Sequence, residues 1–145
     1  HTAYRRQRQM CIRDRWISHR TIARWPANKQ AKQVEKWRAQ ALSSAKQARR
    51  AWVPEVRDPV TTNQLAELLR DAGLALVLHE DATDSIRDVE FGEDVWLIVG
   101  PEGGIGDDEL EILGARPVKL GPEVLRTASA AFAGLCAIGA LTSRW

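Results

Sequence analysis

Two short apolar strands that run into Gly-Pro carry the residue types best suited to chemistry in this 145-residue chain. The first continues into Gly-Pro-Glu-Gly-Gly at residues 100–104, and the second into Gly-Pro-Glu-Val-Leu-Arg at residues 121–126. Glycine lets a ligand approach the backbone without a Cβ in the way, and α/β proteins bind ligands at the carboxyl ends of strands. The pair predicts two loops that line one cleft, although a single turn of this kind is more often a tight strand-to-helix connection.

The first loop does not match the known phosphate cradles. No Gly-Lys-Ser/Thr follows it, and Gly104 and Gly106 lack the third glycine of a dinucleotide fingerprint. Glu102 could accept a proton in the cleft or cap the next helix through its carboxylate. Arg126 could bind a phosphate or a carboxylate with its planar guanidinium, or it could form an ion pair with Glu102 or with another acidic residue.

Charge is divided unevenly along the chain. Residues 1–50 hold 14 Lys/Arg and 2 Asp/Glu, whereas residues 51–145 hold 7 Lys/Arg and 17 Asp/Glu. A basic half indicates a polyanionic partner, most simply nucleic acid, although a solvated tail or a partner for the acidic half would give the same composition. Trp16, Trp25 and Trp52 flank the basic part and could stack on RNA bases, but core packing is the commoner role of tryptophan.

Several other classes of protein are disfavoured. No Cys/His cluster exists, so we expect no metal. No apolar run is long enough to span a membrane, and the Arg-rich start is not a signal peptide. The two cysteines give no disulfide framework, which favours a cytoplasmic protein with no membrane partner. His79 ends a buried strand, where histidine is more often packed or exposed than a base.

The elements that must position these residues alternate between helix and strand. Residues 1–24 show no clear period and are expected to be a poorly ordered or foreign basic segment. Strand and helix in alternation predict an α/β fold with a mainly parallel sheet and flanking helices. The predicted elements are a long basic helix over 27–50 that begins at Pro26, a helix capped by Thr61 or Thr62, strands over 74–78 and 95–99, a short helix capped by Asp107 or Asp108, a strand over 118–120, and a helix over 127–142.

The last helix is apolar nearly all round, so it should be buried on several sides. A 145-residue chain has little interior in which to hide such a helix. This favours its burial against a second subunit.

The string LIVGPEGGIGDDELE, followed by VKLGPEVLRT and an Ala-rich final helix, resembles the catalytic domain of the RsmE-type 16S rRNA methyltransferases, which belong to the SPOUT class of S-adenosylmethionine (SAM) enzymes. The upstream stretch KWRAQALSSAKQARRAWVPEV is similar to the family's linker helix. The resemblance implies a SPOUT-like domain over 25–145 that includes the linker helix 27–50 and a C-terminal trefoil knot. General rules of chain topology would not predict a knot.

The resemblance also implies a site, an activity and partners. The family methylates N3 of one uridine in 16S rRNA, a step of rRNA processing and ribosome biogenesis, and its members are usually dimers through the C-terminal helix. Glu102 would assist proton removal, Arg126 would stabilise negative charge, and Lys46, Arg49 and Arg50 would bind RNA. The residues implied to hold SAM, largely by their backbone, are Leu78, His79, Val99, Gly100, Gly103, Leu120, Gly121, Leu125 and Arg126.

Two features depart from the family pattern. The family often has Glu-Thr after Leu-Arg-Thr, where this chain has Ala128-Ser129. The family also carries an N-terminal β-barrel RNA-binding domain, whereas residues 1–24 alone precede the linker helix here and the chain begins with His1. We therefore expect a fragment or processed product without a complete barrel. A non-catalytic RNA-binding or assembly module and a truncated inactive methyltransferase remain alternatives.

Overall fold

The computed structural model describes residues 12–22 and 24–142. The chain divides into two compact units. The first comprises residues 1–17 and 23–60, and the second comprises residues 18–22 and 61–145. Part of the predicted basic segment 1–24, namely residues 1–11 and 23, lies outside the described residues.

The first unit is organised around one long helix, α1 (Ala27–Gln47). Two short strands, β1 (Ile12–Arg13) and β2 (Trp16–Ile17), precede it, and β3 (Glu55–Val56) and β4 (Val60–Thr61) follow it. β1 pairs with β3 in parallel, and β2 pairs with β4. The first unit therefore contains described strands within a segment for which the sequence pattern predicts none.

The ends of α1 have local causes. Pro26 occupies the N-cap with φ of −55°, a value that proline fixes and that suits a helix start. The helix ends at Gln47, short of the predicted residue 50. Arg49 adopts a left-handed conformation with φ of 50°, and the Arg50 N–H donates to the Ala45 carbonyl at 2.9 Å. This turn closes the helix and places the last two arginines beyond it.

The second unit holds a three-stranded parallel sheet with helices around it. The elements of this unit are α2 (Thr62–Leu69), β5 (Ala75–Leu78), a 3-10 turn (Ile86–Asp88), β6 (Trp96–Val99), α3 (Asp107–Leu113), β7 (Arg116–Val118) and α4 (Thr127–Leu141). The strand order in the sheet is β6-β5-β7. The predicted α/β class with a mainly parallel sheet is confirmed for these residues.

Local capping explains where α2 begins. The Thr61 side chain accepts a hydrogen bond from the Gln64 N–H at 3.4 Å, and the Gln64 side chain accepts one from the Thr61 N–H at 2.9 Å. This is a capping box, which satisfies two backbone donors at the helix start. Of the two predicted caps, Thr61 is therefore the cap and Thr62 is the first helical residue.

Two predicted boundaries are wrong. The cap of α3 is Gly106, without a side-chain hydrogen bond. Asp107 and Asp108 lie inside the first turn, where their negative charges interact favourably with the helix dipole. The strand predicted over 118–120 lies instead at β7 and includes Pro117. Proline is tolerated because β7 is at the edge of the sheet.

The core of the second unit lies between the sheet, the 3-10 turn and α4. Leu76 and Val118 are fully buried, and Ile86 and Ile138 are nearly so. Gly134 lets α4 approach the sheet closely, because a Cβ built there would lie 2.7 Å from Leu97 Cδ2. The sheet is thereby held against one face of α4.

The opposite face of α4 is open in the single chain. Phe132 is 72% exposed, and Leu135, one turn further along this side of the helix, is also exposed. The predicted burial of this helix on several sides is therefore not reached within one chain. None of the helices among the described residues combines the length and apolarity needed to cross a membrane.

Candidate functional site

The carboxyl ends of the three central strands lie side by side. Leu78 is in register with Val99 of β6 and with Val118 of β7. The His79 N–H donates to the Val118 carbonyl at 3.1 Å, which continues the pairing of β5 with β7 by one residue. The loops that follow β6 and β7 therefore leave the sheet from the same edge.

The first of these loops is a tight turn with an exposed carboxylate. The Gly104 N–H donates to the Pro101 carbonyl at 2.9 Å, and Gly104 has φ of 72°, a conformation that glycine adopts without strain. Gly100 packs on Ile105, whose Cγ1 would lie 2.5 Å from an added Cβ. Glu102 is exposed and does not cap α3. Of the two roles weighed for Glu102, the helix cap is excluded.

The second loop presents free backbone to its surroundings. Residues 121–126 are exposed, and none of their N–H groups donates to another backbone group within the described ranges. Polar backbone groups without protein partners require water or a ligand. A Cβ built on Gly121 meets no atom within 4 Å, so space is open beside this backbone.

Arg126 ends the second loop and begins α4. Its carbonyl accepts hydrogen bonds from the Ser129 and Ala130 N–H groups at 2.8 and 2.9 Å, so the backbone of Arg126 is fixed by the helix start. Its side chain is exposed. Within the described part of the chain it forms no ion pair with Glu102. The guanidinium is therefore available to an anion.

Residues 18–22, which we call the docked segment, lie against the first loop and α3 in the second unit. The His19 N–H and the Thr62 hydroxyl each donate to Glu109 Oε1 at 2.8 Å. Glu109 is fully buried, and Ser18 is 2% exposed. A buried carboxylate is costly unless it is hydrogen-bonded, so Glu109 fixes the docked segment to the start of α2 and to α3.

The docked segment brings positive charge to the first loop. Arg20 Nη1 donates to the Gly103 carbonyl at 3.4 Å. A Cβ built on Gly103 would lie 3.1 Å from the Arg20 carbonyl oxygen, so glycine permits this approach. Beside it, His19 Nδ1 lies 3.1 Å from Asp108 Oδ2, and the hydrogen bond from His19 lowers the pKa of Asp108 below its ordinary value.

Sequence reasoning missed the docked segment and Glu109. It grouped residues 18–22 with the basic segment 1–24 and assigned them no role. One signal was present, because Glu109 lies four residues before the buried Leu113 on the same face of α3. The hydrogen bonds from the His19 N–H and the Thr62 hydroxyl to Glu109 could not be predicted from the local sequence pattern.

The predicted RNA-binding residues belong to the first unit. Lys46 lies in the last turn of α1, and Arg49 and Arg50 follow it, all three exposed. Two tryptophans of the first unit are engaged within the protein. Trp25 packs edge-on against Trp37 with ring centroids 5.5 Å apart, and the Arg15 guanidinium lies 3.7 Å above the Trp25 ring. This contact occupies one face of a ring weighed as a base-stacking platform.

A cavity of about 460 Å³ in the first unit is lined by Arg38 and residues 53–58. None of these was predicted as a site residue, and the cavity holds no arrangement that indicates a reaction. Within residues 12–22 and 24–142, no group of three or more His, Cys, Asp or Glu could hold a metal ion.

Comparison with known proteins places this arrangement in a family. The family model of the RNA methyltransferase domain matches residues 15–139. The ribosomal RNA small subunit methyltransferase E of Mycobacterium bovis is 45% identical over 139 residues, which cover 90% of this chain and 53% of the relative. The ribosomal RNA small subunit methyltransferase E of Mesomycoplasma hyopneumoniae is 31% identical over 103 residues, which cover 69% of this chain and 45% of the relative. The chain spans about half the length of the curated relatives it matches.

Two solved structures share the fold. A Legionella pneumophila protein in complex with the bound cofactor SAM has a TM-score of 0.84 and 33% identity, with 93% of this chain and 57% of that chain covered. The ribosomal RNA small subunit methyltransferase E of Neisseria gonorrhoeae, bound to S-adenosyl methionine, has a TM-score of 0.78 and 27% identity. The match covers 87% of this chain and 54% of that chain. The chain therefore belongs to the RNA methyltransferase family, and it is of the RsmE type that its two Gly-Pro loops indicated.

Proposed function

We propose that this chain is the catalytic part of a SAM-dependent methyltransferase that modifies N3 of a uridine in 16S ribosomal RNA. The observation that carries the proposal is the register of β5, β6 and β7, which starts both Gly-Pro loops from one edge of the sheet. Family membership and the SAM-bound neighbours support it. The proposed domain is 25–145 with its linker helix, and the C-terminal trefoil knot of the SPOUT class is part of the proposal.

The residues at the strand ends fit a ligand held by backbone groups. Among the described residues, the N–H groups of the second loop donate to no backbone carbonyl, and space is open beside Gly121. Gly103 adds no side chain to the first loop. SAM supplies an electrophilic sulfonium methyl group when bound. The residues proposed to hold it are Leu78, His79, Val99, Gly100, Gly103, Leu120, Gly121, Leu125 and Arg126.

Two exposed side chains at this edge have the chemistry that uracil requires. The N3–H of uracil must lose its proton before N3 can act as a nucleophile, and the Glu102 carboxylate, which does not cap α3, is a proton acceptor. Deprotonation places negative charge on the uracil oxygens, which the Arg126 guanidinium would stabilise. The loops would otherwise act by holding donor and base in line.

The proposal is tested first by titration calorimetry with SAM and then by methyl transfer. Glu102→Gln and Arg126→Ala should each lower turnover by roughly 10²-fold or more, with the Kd for SAM nearly unchanged. Glu111→Gln and Arg70→Ala, exposed residues elsewhere in the second unit, are the matched controls. Unchanged turnover in both site variants would remove them from the mechanism.

The calorimetric result also separates the alternatives. A non-catalytic RNA-binding module would give RNA binding without heat on addition of SAM. A truncated inactive fragment would lack a cooperative unfolding transition. Binding of SAM together with cooperative unfolding excludes both alternatives.

The proposed RNA contact of the first unit has its own test. Lys46, Arg49 and Arg50 are exposed cations at and beyond the end of α1. Replacing all three with glutamine should reduce the slope of log K against log salt by roughly 2, since each phosphate contact on a single strand contributes about 0.7. An unchanged slope would contradict the assignment.

A homodimer through α4 is also part of the proposal. Phe132 and Leu135 leave an apolar face open on this helix, and Val124, which is 71% exposed, adds to the exposed apolar surface. Such faces in soluble proteins mark interaction surfaces. Phe132→Asp should shift the mass measured by analytical ultracentrifugation from dimer to monomer. A wild-type chain that sediments as a monomer at all concentrations would refute the dimer.

A further inference from the structure

We infer that Arg20, presented by the docked segment beside Gly103, binds a backbone phosphate of the substrate RNA next to the methylation site. The inference rests on the proposed function and adds a residue outside both Gly-Pro loops. Arg20 lies 83 positions before Gly103 in sequence, and the tertiary structure brings the two together.

The position of Arg20 is built rather than incidental. Its neighbour His19 donates a backbone hydrogen bond to the fully buried carboxylate of Glu109. Thr62 donates to the same oxygen, and Ser18 is buried. Because the backbone on one side of Arg20 is fixed by a charge-assisted hydrogen bond, its side chain is delivered to the first loop at a small entropic cost.

The charge of Arg20 is not neutralised by a carboxylate within the described ranges. Its guanidinium donates a hydrogen bond to the neutral carbonyl of Gly103, and Oδ2 of the nearby Asp108 carboxylate is paired with His19. A guanidinium has five N–H donors, so most remain for a ligand. Their planar fork matches phosphate oxygens in a bidentate manner.

An RNA phosphate fits this position better than the carboxylate of the methyl donor. Arg20 is exposed. Its atoms lie beside Gly103 and Gly106, and both glycines belong to the loop between β6 and α3. The donor is proposed to be held by backbone groups at the strand ends and in both loops, Gly103 included, so its binding as proposed uses no side chain of the docked segment. The RNA must pass over exposed residues such as Glu102 to bring its uracil to the donor, and its backbone would meet Arg20 there.

The test measures binding of a fluorescently labelled single-stranded oligouridylate to the full chain by anisotropy at several salt concentrations. Arg20→Gln should weaken binding about 5- to 10-fold at low salt and reduce the slope of log K against log salt by about 0.7, the value for one contact on a single strand. Arg20→Lys should keep most of the slope. Arg70→Gln, which removes an exposed cation elsewhere in the second unit, should change neither quantity.

Calorimetry with SAM on the same proteins separates the possible failures. The inference expects the Kd for SAM to be the same in wild-type and Arg20→Gln chains. Weaker SAM binding with an unchanged salt slope would assign Arg20 to the donor carboxylate and overturn the inference. An unchanged slope, or a wild-type chain that does not bind the oligonucleotide, would also overturn it. A wild-type chain that binds the oligonucleotide but gives no heat with SAM would instead refute the proposed function.

Discussion

Replacing Thr62 with valine tests whether the buried Glu109 carboxylate depends on its hydrogen-bond donors. Thr62 is 3% exposed, and its hydroxyl donates to Glu109 Oε1 at 2.8 Å. Glu109 Oε2 has no partner within the described ranges, so the variant leaves Glu109 with the His19 N–H at 2.8 Å and the more distant His19 Nδ1 at 3.9 Å. A hydrogen bond to a charged group contributes about 1.5–3 kcal/mol. We therefore expect a loss of about 2 kcal/mol in the free energy of unfolding.

Urea unfolding followed by circular dichroism measures this loss, and an unchanged m-value would show that the unfolded state is unaffected. Thr83→Val removes an exposed hydroxyl that donates to the neighbouring Asp84 at 3.5 Å, and it should stay within about 0.5 kcal/mol of wild type. In a Glu109→Gln background the cost of Thr62→Val should fall to about 1 kcal/mol, the value for a neutral bond. A loss below about 0.5 kcal/mol, or equal costs in both backgrounds, would refute the reasoning.

Further predictions concern the core, a turn and the hydrogen bond between His19 and Asp108. Leu76→Ala should cost about 2–5 kcal/mol in urea unfolding because Leu76 is fully buried, and a cost under about 1 kcal/mol would contradict the described core. Gly114→Ala should cost about 1–2 kcal/mol because φ is 60° there, whereas Gly92→Ala, also with open space but without a positive φ, should be nearly neutral. The pKa of Asp108 is held below 3.8 by the His19 hydrogen bond, so its contribution to stability is present above about pH 4 and is lost as pH falls through the lowered value. Unfolding curves of wild type and Asp108→Asn should therefore differ near pH 6 and converge at low pH; a constant difference would contradict the pairing.

Features with local causes could be read from the sequence. The capping box at Thr61, the apolar run of β5, the apolar strand before residues 100–104 and the proline before α1 each depend on residues within a few positions of one another. Parallel strands that end at one edge follow from the alternation of strand and helix. These features, with the motif resemblance, gave the fold class and the family.

Boundaries and exposure were less predictable, because they depend on distant packing. The edge position of β7 lets Pro117 enter a strand, and the left-handed Arg49 ends α1 early. The open face of α4 cannot be separated from its buried face in a sequence that is apolar all round. Burial against the sheet at Gly134 decides which face is which.

The sequence by itself determined the two Gly-Pro loops, the strands that carry them and the family to which they belong, because glycine, proline and hydrophobic period act over a few residues. Tertiary structure alone decided that residues 18–22 join the second unit. The bond from His19 to Glu109 spans 90 positions, and the contact of Arg20 with Gly103 spans 83. A buried carboxylate accepts hydrogen bonds from donors that are close in space, and these donors cannot be identified from the local pattern of a single sequence.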